Sequence, residues 1–79
     1  MKIIITGGAG FIGKHLVELL IKKENDITIF DNFSNSKEES VMYLKNLGAK
    51  IVKGDIRKIG EINNAIKDHD IVIHLAAKI

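Results

Sequence analysis

The chain has no cysteine and no proline, only one arginine (Arg57), and no long apolar run. Without cysteine there is no disulfide framework and no thiolate metal site. The lack of proline, beside many lysines and isoleucines, fits either a genome bias or a thermophilic source. The cations are almost all lysines spread along the sequence, and the net charge is only +2. A nucleic-acid footprint needs basic residues clustered on one face, so this pattern reads as a solvated surface. No run approaches the roughly 20 apolar residues of a membrane span. The first residues lead straight into a strand pattern, without the charged and apolar regions of a secretion signal. A cytoplasmic address is the default expectation.

What is present is the balance of a soluble globular domain, 46% hydrophobic and 28% charged. A chain of 79 residues allows one small domain, burying only about 60% of its unfolded surface, so stability is expected to be marginal. Strand and helix patterns alternate throughout. Lys2 to Thr6 reads as a buried strand. From Gly10 to about Lys23 the apolar residues Ile12, Leu16, Leu19 and Leu20 keep helical spacing, and Asn25 is a stop. Ile27 to Asp31 is a second strand, and Asn32 to Asn35 a loop. Ser36 with Glu39 forms a capping box for a second helix striped by Val41, Leu44 and Leu47. Gly48 supplies its left-handed end. Lys50 to Gly54 is a third strand, Ile59, Ile62 and Ile66 mark a short third helix, and Asp70 to Leu75 is a fourth strand.

This β-α-β-α-β-α-β alternation predicts an α/β fold, a parallel sheet with helices on both faces. Right-handed crossovers lead to strand order 3-2-1-4, with the switch point between strands one and four. Ligands of open sheets bind at that crevice, at the carboxyl ends of the strands. The glycine run Thr6-Gly7-Gly8-Ala9-Gly10-Phe11-Ile12-Gly13 lies there. It fits G-x-G-x-x-G from Gly8 and also a G-x-x-G-x-x-G spacing from Gly7. Either way one glycine makes the tight turn, one lets the backbone approach a pyrophosphate, and Gly13 lets the helix pack close to the strand. A strand before and a helix after are the context that separates a phosphate-binding loop from an ordinary turn.

Asp31, at the end of strand two, can accept hydrogen bonds from adenosine ribose hydroxyls and would repel a 2′-phosphate, which favours NAD over NADP. Asp55, after strand three, reads as an N-cap of the third helix, as an acceptor for an adenine amino group, or as both. His74 reads as packed or backbone-bonded, His15 as surface, His69 as part of a turn, and Tyr43 as packing. The histidines lack ligand spacing, so no metal is expected.

Thr6-Gly7-x-x-Gly10-x-x-Gly13, Asp31-Asn32, Gly54-Asp55-Ile56-Arg57 and His74-Leu75-Ala76-Ala77 together resemble the start of the extended short-chain dehydrogenase/reductases, the NAD-dependent nucleotide-sugar epimerases and dehydratases. Asp31-Asn32-x-x-Asn35-Ser36-Lys37 is most similar to their UDP-glucose 4-epimerase branch. The resemblance implies a Rossmann-type domain with NAD as cofactor. Gly7, Gly10, Phe11 and Ile12 would hold the pyrophosphate. Asp31, Asn32, Asn35 and Ser36 would surround the adenosine ribose, Asp55 and Ile56 would flank adenine, and Leu75, Ala76 and Ala77 would line the path to the nicotinamide. The tyrosine, with a lysine four residues later, that carries the family's chemistry has no counterpart here.

Residues 1–79 are therefore expected to be the amino-terminal part of an NAD-binding domain, without catalytic and substrate parts, and inactive alone. The nucleotide sugar belongs to the intact enzyme. The alternatives are a dehydratase, reductase or decarboxylase of the same superfamily, or a stand-alone nucleotide-binding or assembly protein. Strand four, built on Ile71-Val72-Ile73, has only the short third helix to cover one face. Self-association through that strand or the third-helix face is the expected consequence.

Overall fold

The computed structural model describes residues 1–7, 11–33 and 37–75. The elements run β1 (Lys2–Thr6), α1 (Phe11–Lys22), β2 (Asp26–Asp31), α2 (Glu38–Asn46), β3 (Lys50–Lys53), α3 (Ile59–Ile66) and β4 (Ile71–His74). All strand pairs are parallel in one four-stranded sheet of order β3-β2-β1-β4. This is the expected topology. β4 is shorter than the Asp70–Leu75 span read from the sequence, yet both flanking residues extend its bonding to β1. Asp70 N–H donates to the Lys2 carbonyl at 2.7 Å, and Leu75 N–H to the Thr6 carbonyl at 2.8 Å.

Side chains alternate between the two sheet faces. Ile3, Ile5, Ile27 and Ile29 bury one face against Val17 of α1 and Leu44 of α2, and this is the core. The other face carries Ile4, Thr6, Thr28 and Phe30, all buried. Its cover is thinner. α3 contributes no buried residue, and Val72, in register with Ile4, is 49% exposed.

Both core-side helices end on the same hydrogen-bonded turn. In α1, Asn25 N–H donates to the Leu20 carbonyl, and in α2, Ala49 N–H donates to the Leu44 carbonyl. That closure needs a left-handed residue just before the donor. After α2 it is Gly48 (φ 109), as expected, but after α1 it is Glu24 (φ 61). Asn25 strengthens the stop by donating its side-chain amide to the Leu20 carbonyl at 3.1 Å.

The start of α2 differs from the sequence reading. Lys37 is the N-cap, with extended backbone and no side-chain cap bond. The helix thus begins one residue later than a Ser36 cap requires, and Ser36 itself lies outside the described residues. Glu38 and Glu39 still place negative charge at the positive helix end. Tyr43 joins α2 to α1, with the Lys14 ammonium 4.6 Å from its ring centroid. Desolvation of its hydroxyl and then its bond to Glu18 push the Tyr43 pKa above its ordinary value.

Candidate dinucleotide site

Because the strands are parallel, their carboxyl ends share one edge of the sheet, and the described residues of the predicted site collect there. β1 ends at Thr6, and Gly7 turns away with φ 77, a backbone conformation that costs a residue with a Cβ about 1–2 kcal/mol. Gly7 N–H donates to the Phe30 carbonyl of β2 at 2.9 Å, which anchors the turn to the neighbouring strand. α1 then begins at Phe11, with Ile12 exposed and Gly13 buried in its first turn. That first turn contains no acidic residue, unlike those of α2 and α3. Gly10 lies outside the described residues.

At the end of β2, one carboxylate oxygen of Asp31 accepts the Phe33 N–H at 2.9 Å. Phe33 adopts a left-handed conformation (φ 59) to make this turn, and its side chain packs against the core. The carboxylate is thus held by its own loop. Asn32 is exposed beside it, and Asn35 and Ser36 lie outside the described residues. The role of Phe33 was not read from the sequence. The signal was a local one, an Asp two residues before an apolar anchor.

β3 leads into the next segment. Gly54 N–H donates to the Asp31 carbonyl at 3.0 Å, joining the two strand ends. A Cβ on Gly54 would run into the buried Phe30 ring, so the close approach of these strands requires glycine. Asp55 does not cap α3; the N-cap is Lys58, without a side-chain cap bond. The Asp55 carboxylate instead accepts Arg57 N–H at 2.9 Å and takes the Arg57 guanidinium at 2.8 Å. The Arg57 side-chain bonds, then its backbone N–H, hold the Asp55 pKa at about 2 against an ordinary 3.8. A fork-shaped cation two residues away competes better for the carboxylate than a helix end three residues away. Ile56 occupies the turn between the pair, half-buried.

At the end of β4, Leu75 packs against the core, while Ala76 and Ala77 lie outside the described residues. His74 is neither packed nor backbone-bonded: it is exposed, and its Nδ1 lies 2.6 Å from Thr6 Oγ1. His69 belongs to the opposite edge of the sheet. Its Nδ1 lies 3.1 Å from the Lys67 carbonyl, to which it donates, and its Nε2 lies 3.0 Å from the Thr28 hydroxyl. Among the described residues, no group of three or more His, Asp or Glu could hold a metal ion. No described helix is long and apolar enough to cross a membrane.

Known proteins share this arrangement. The chain is 37% identical to a UDP-glucose 4-epimerase of Klebsiella pneumoniae, over 96% of this chain and 58% of the relative. It is 41% identical to a UDP-N-acetyl-alpha-D-glucosaminuronate decarboxylase of Bacillus cytotoxicus, over 94% of this chain and 23% of that protein. The fold superimposes on the crystal structure of UDP-glucose-4-epimerase from Stenotrophomonas maltophila, which holds bound NAD and formylated UDP-arabinopyranose. The TM-score is 0.88 at 30% identity, covering all of this chain and 25% of that one. The match falls in the amino-terminal, NAD-binding region of these relatives, and the chain spans less than two thirds of their length. The NAD dependent epimerase/dehydratase profile itself runs from residue 3 to residue 79. With that profile match and the strand order β3-β2-β1-β4, the chain belongs to the NAD dependent epimerase/dehydratase family.

Proposed function

We propose that residues 1–79 form the amino-terminal part of the NAD-binding domain of a nucleotide-sugar epimerase of the UDP-glucose 4-epimerase type. The observation that carries the reading is the pairing of Gly7, left-handed at the end of β1, with Asp31, oriented at the end of the adjacent β2. Backbone groups of Gly7, Gly10, Phe11 and Ile12 hold the pyrophosphate, and Gly13 lets α1 sit close to β1. The acid-free first turn of α1 leaves its positive end to an external anion. Asp31, Asn32, Asn35 and Ser36 take the adenosine ribose. Asp55 and Ile56 flank adenine, where the Arg57 pair keeps Asp55 ionised and able to accept an amino group. Leu75, Ala76 and Ala77 line the way to the nicotinamide. The bound NAD of the Stenotrophomonas structure supports the cofactor. Such a dinucleotide is drawn from an intracellular pool, which supports a cytoplasmic address.

The Bacillus relative is a decarboxylase at similar identity, so this region is shared by enzymes of different reactions. The epimerase reading rests on the Asp31-to-Lys37 segment. It is tested in the reading frame: an in-frame continuation with a tyrosine and a lysine four residues later is expected. In the protein expressed with it, UDP-glucose and UDP-galactose interconvert.

NAD binding is tested directly by calorimetry of the 79-residue chain with NAD, ADP-ribose and AMP. Saturable binding of ADP-ribose is expected. Folded protein that gives no signal with millimolar ADP-ribose overturns the reading. We also propose self-association through β4 or the α3 face, supported by the exposure of Ile71, Val72 and Ile59.

A further inference from the structure

Thr6 is the last residue of β1 and is 1% exposed, so its hydroxyl is a buried polar group in need of a partner. His74, in register with it at the end of β4, supplies that partner, Nδ1 to Oγ1 at 2.6 Å. Either side can donate, the hydroxyl to unprotonated Nδ1 or protonated Nδ1 to the hydroxyl oxygen, so the contact holds in both states of the imidazole. The Thr6 carbonyl accepts Leu75 N–H, and the next residue, Gly7, is bonded to β2. The ends of three strands are therefore tied together at the residue where the glycine turn begins.

Packing holds β4 well on one face only. Ile73 and Leu75 pack against the core, while on the other face Val72 is half exposed and α3 has no buried residue of its own. The backbone ladder to β1 sets the register of the strand, and the short side-chain bond adds to it at the end where the strand can splay. We propose that His74 is a positioning residue: through the Thr6 hydroxyl it holds the end of β4 against β1, and so sets the Gly7 turn for the pyrophosphate of a dinucleotide. This rests on the NAD-binding reading above.

The test is the binding of ADP-ribose and of adenosine, which lacks the pyrophosphate, to the 79-residue chain and its variants. Thr6→Val keeps the shape and removes the hydroxyl. Because His74 is exposed, its freed nitrogen returns to water, and the chain is expected to stay folded with a melting temperature only a few degrees lower. ADP-ribose binding is expected to weaken about fivefold, the scale of one net hydrogen bond, with adenosine binding unchanged. His74→Phe matches that loss, and the double variant is no weaker than either single one. His74→Asn, whose amide can reach the Nδ1 position, and Thr6→Ser restore binding.

Equal ADP-ribose affinity in Thr6→Val, an equal loss for adenosine, or no rescue by His74→Asn overturns the proposal while NAD binding stands. An unsubstituted chain that binds neither ligand overturns the NAD-binding reading and this proposal with it. The ¹⁵N shifts of the His74 ring in the unsubstituted chain are an independent check. Nδ1 is expected to show a hydrogen-bonded shift, and the shifts of a freely equilibrating imidazole refute the contact without any variant.

Discussion

Asp31 shows how one residue acquires a role from its neighbours. One of its oxygens is occupied by Phe33 N–H, so the carboxylate meets a ligand in a set orientation, without the entropy of a free side chain. A 2′-phosphate beside it would face like charge at close range. Asp31→Ala is therefore expected to weaken NAD and to narrow its advantage over NADP by about tenfold, read from parallel titrations. An unchanged ratio removes Asp31 from this role. Asp55 offers a pH signature. Its folded pKa of about 2 lies below the ordinary 3.8. Its contribution to stability is therefore complete above the upper value and is lost as pH falls through the lower one. Denaturation midpoints measured between these pH values should fall more steeply in the unsubstituted chain than in Arg57→Ala. The Arg57 guanidinium is largely exposed, so added salt should shrink the difference. The aspartates themselves were legible at the sequence level. Arg57 as the partner of Asp55 was not, because an acidic residue ahead of a helix is equally good as a cap, and only the backbone path decides between them.

The two Schellman-type helix ends form a natural experiment at the level of elements. α2 closes through Gly48, where a Cβ would meet open space, so only the backbone conformation favours glycine. α1 closes through Glu24 in the same left-handed region at a steric cost. Glu24→Gly is expected to stabilise the fold by about 1 kcal/mol, and Gly48→Ala to destabilise it by about as much. In a domain of this size each should move the melting temperature by about 4–8 °C, in opposite directions. Equal responses would show that the two turns are not equivalent. Gly48 could be read from the chain because glycine after an apolar stripe has one common meaning. Glu24 could not, since nothing in a glutamate announces a positive φ, and the turn forms there because β2 must start at Asp26 to pair with Lys2. Ser36 as a cap failed for a related reason. A capping box is a local preference, and the helix start moved to Lys37 along the path from β2.

At the scale of the molecule, the sheet has one face sealed by α1 and α2 and one covered thinly by α3. Ile71 and Val72 stay 37% and 49% exposed at the β4 edge, and Ile59 of α3 stays 72% exposed. Burying a few hundred Å² of such surface offsets several kcal/mol, at ~25 cal/mol per Å², comparable with the whole stability of a small domain. Sedimentation across a concentration series is expected to show a dimer or larger species, and Val72→Lys to shift it toward monomer. A monomer at high micromolar concentration in the unsubstituted chain refutes the interface. Local patterning determined much of this protein. The apolar Ile3-Ile4-Ile5 run, the helical stripes and the glycine turn specify alternating elements, and the observed order β3-β2-β1-β4 is one that right-handed crossovers allow. They also locate the ligand edge, because parallel strands with one switch point have one place to bind. Tertiary structure alone decided which groups meet. Thr6 and His74 are separated by 68 positions, and neither carries a signal of the other. The same holds for the open face: α3 has an apolar stripe that reads as core, yet burial depends on what lies opposite a stripe, and periodicity is silent about that.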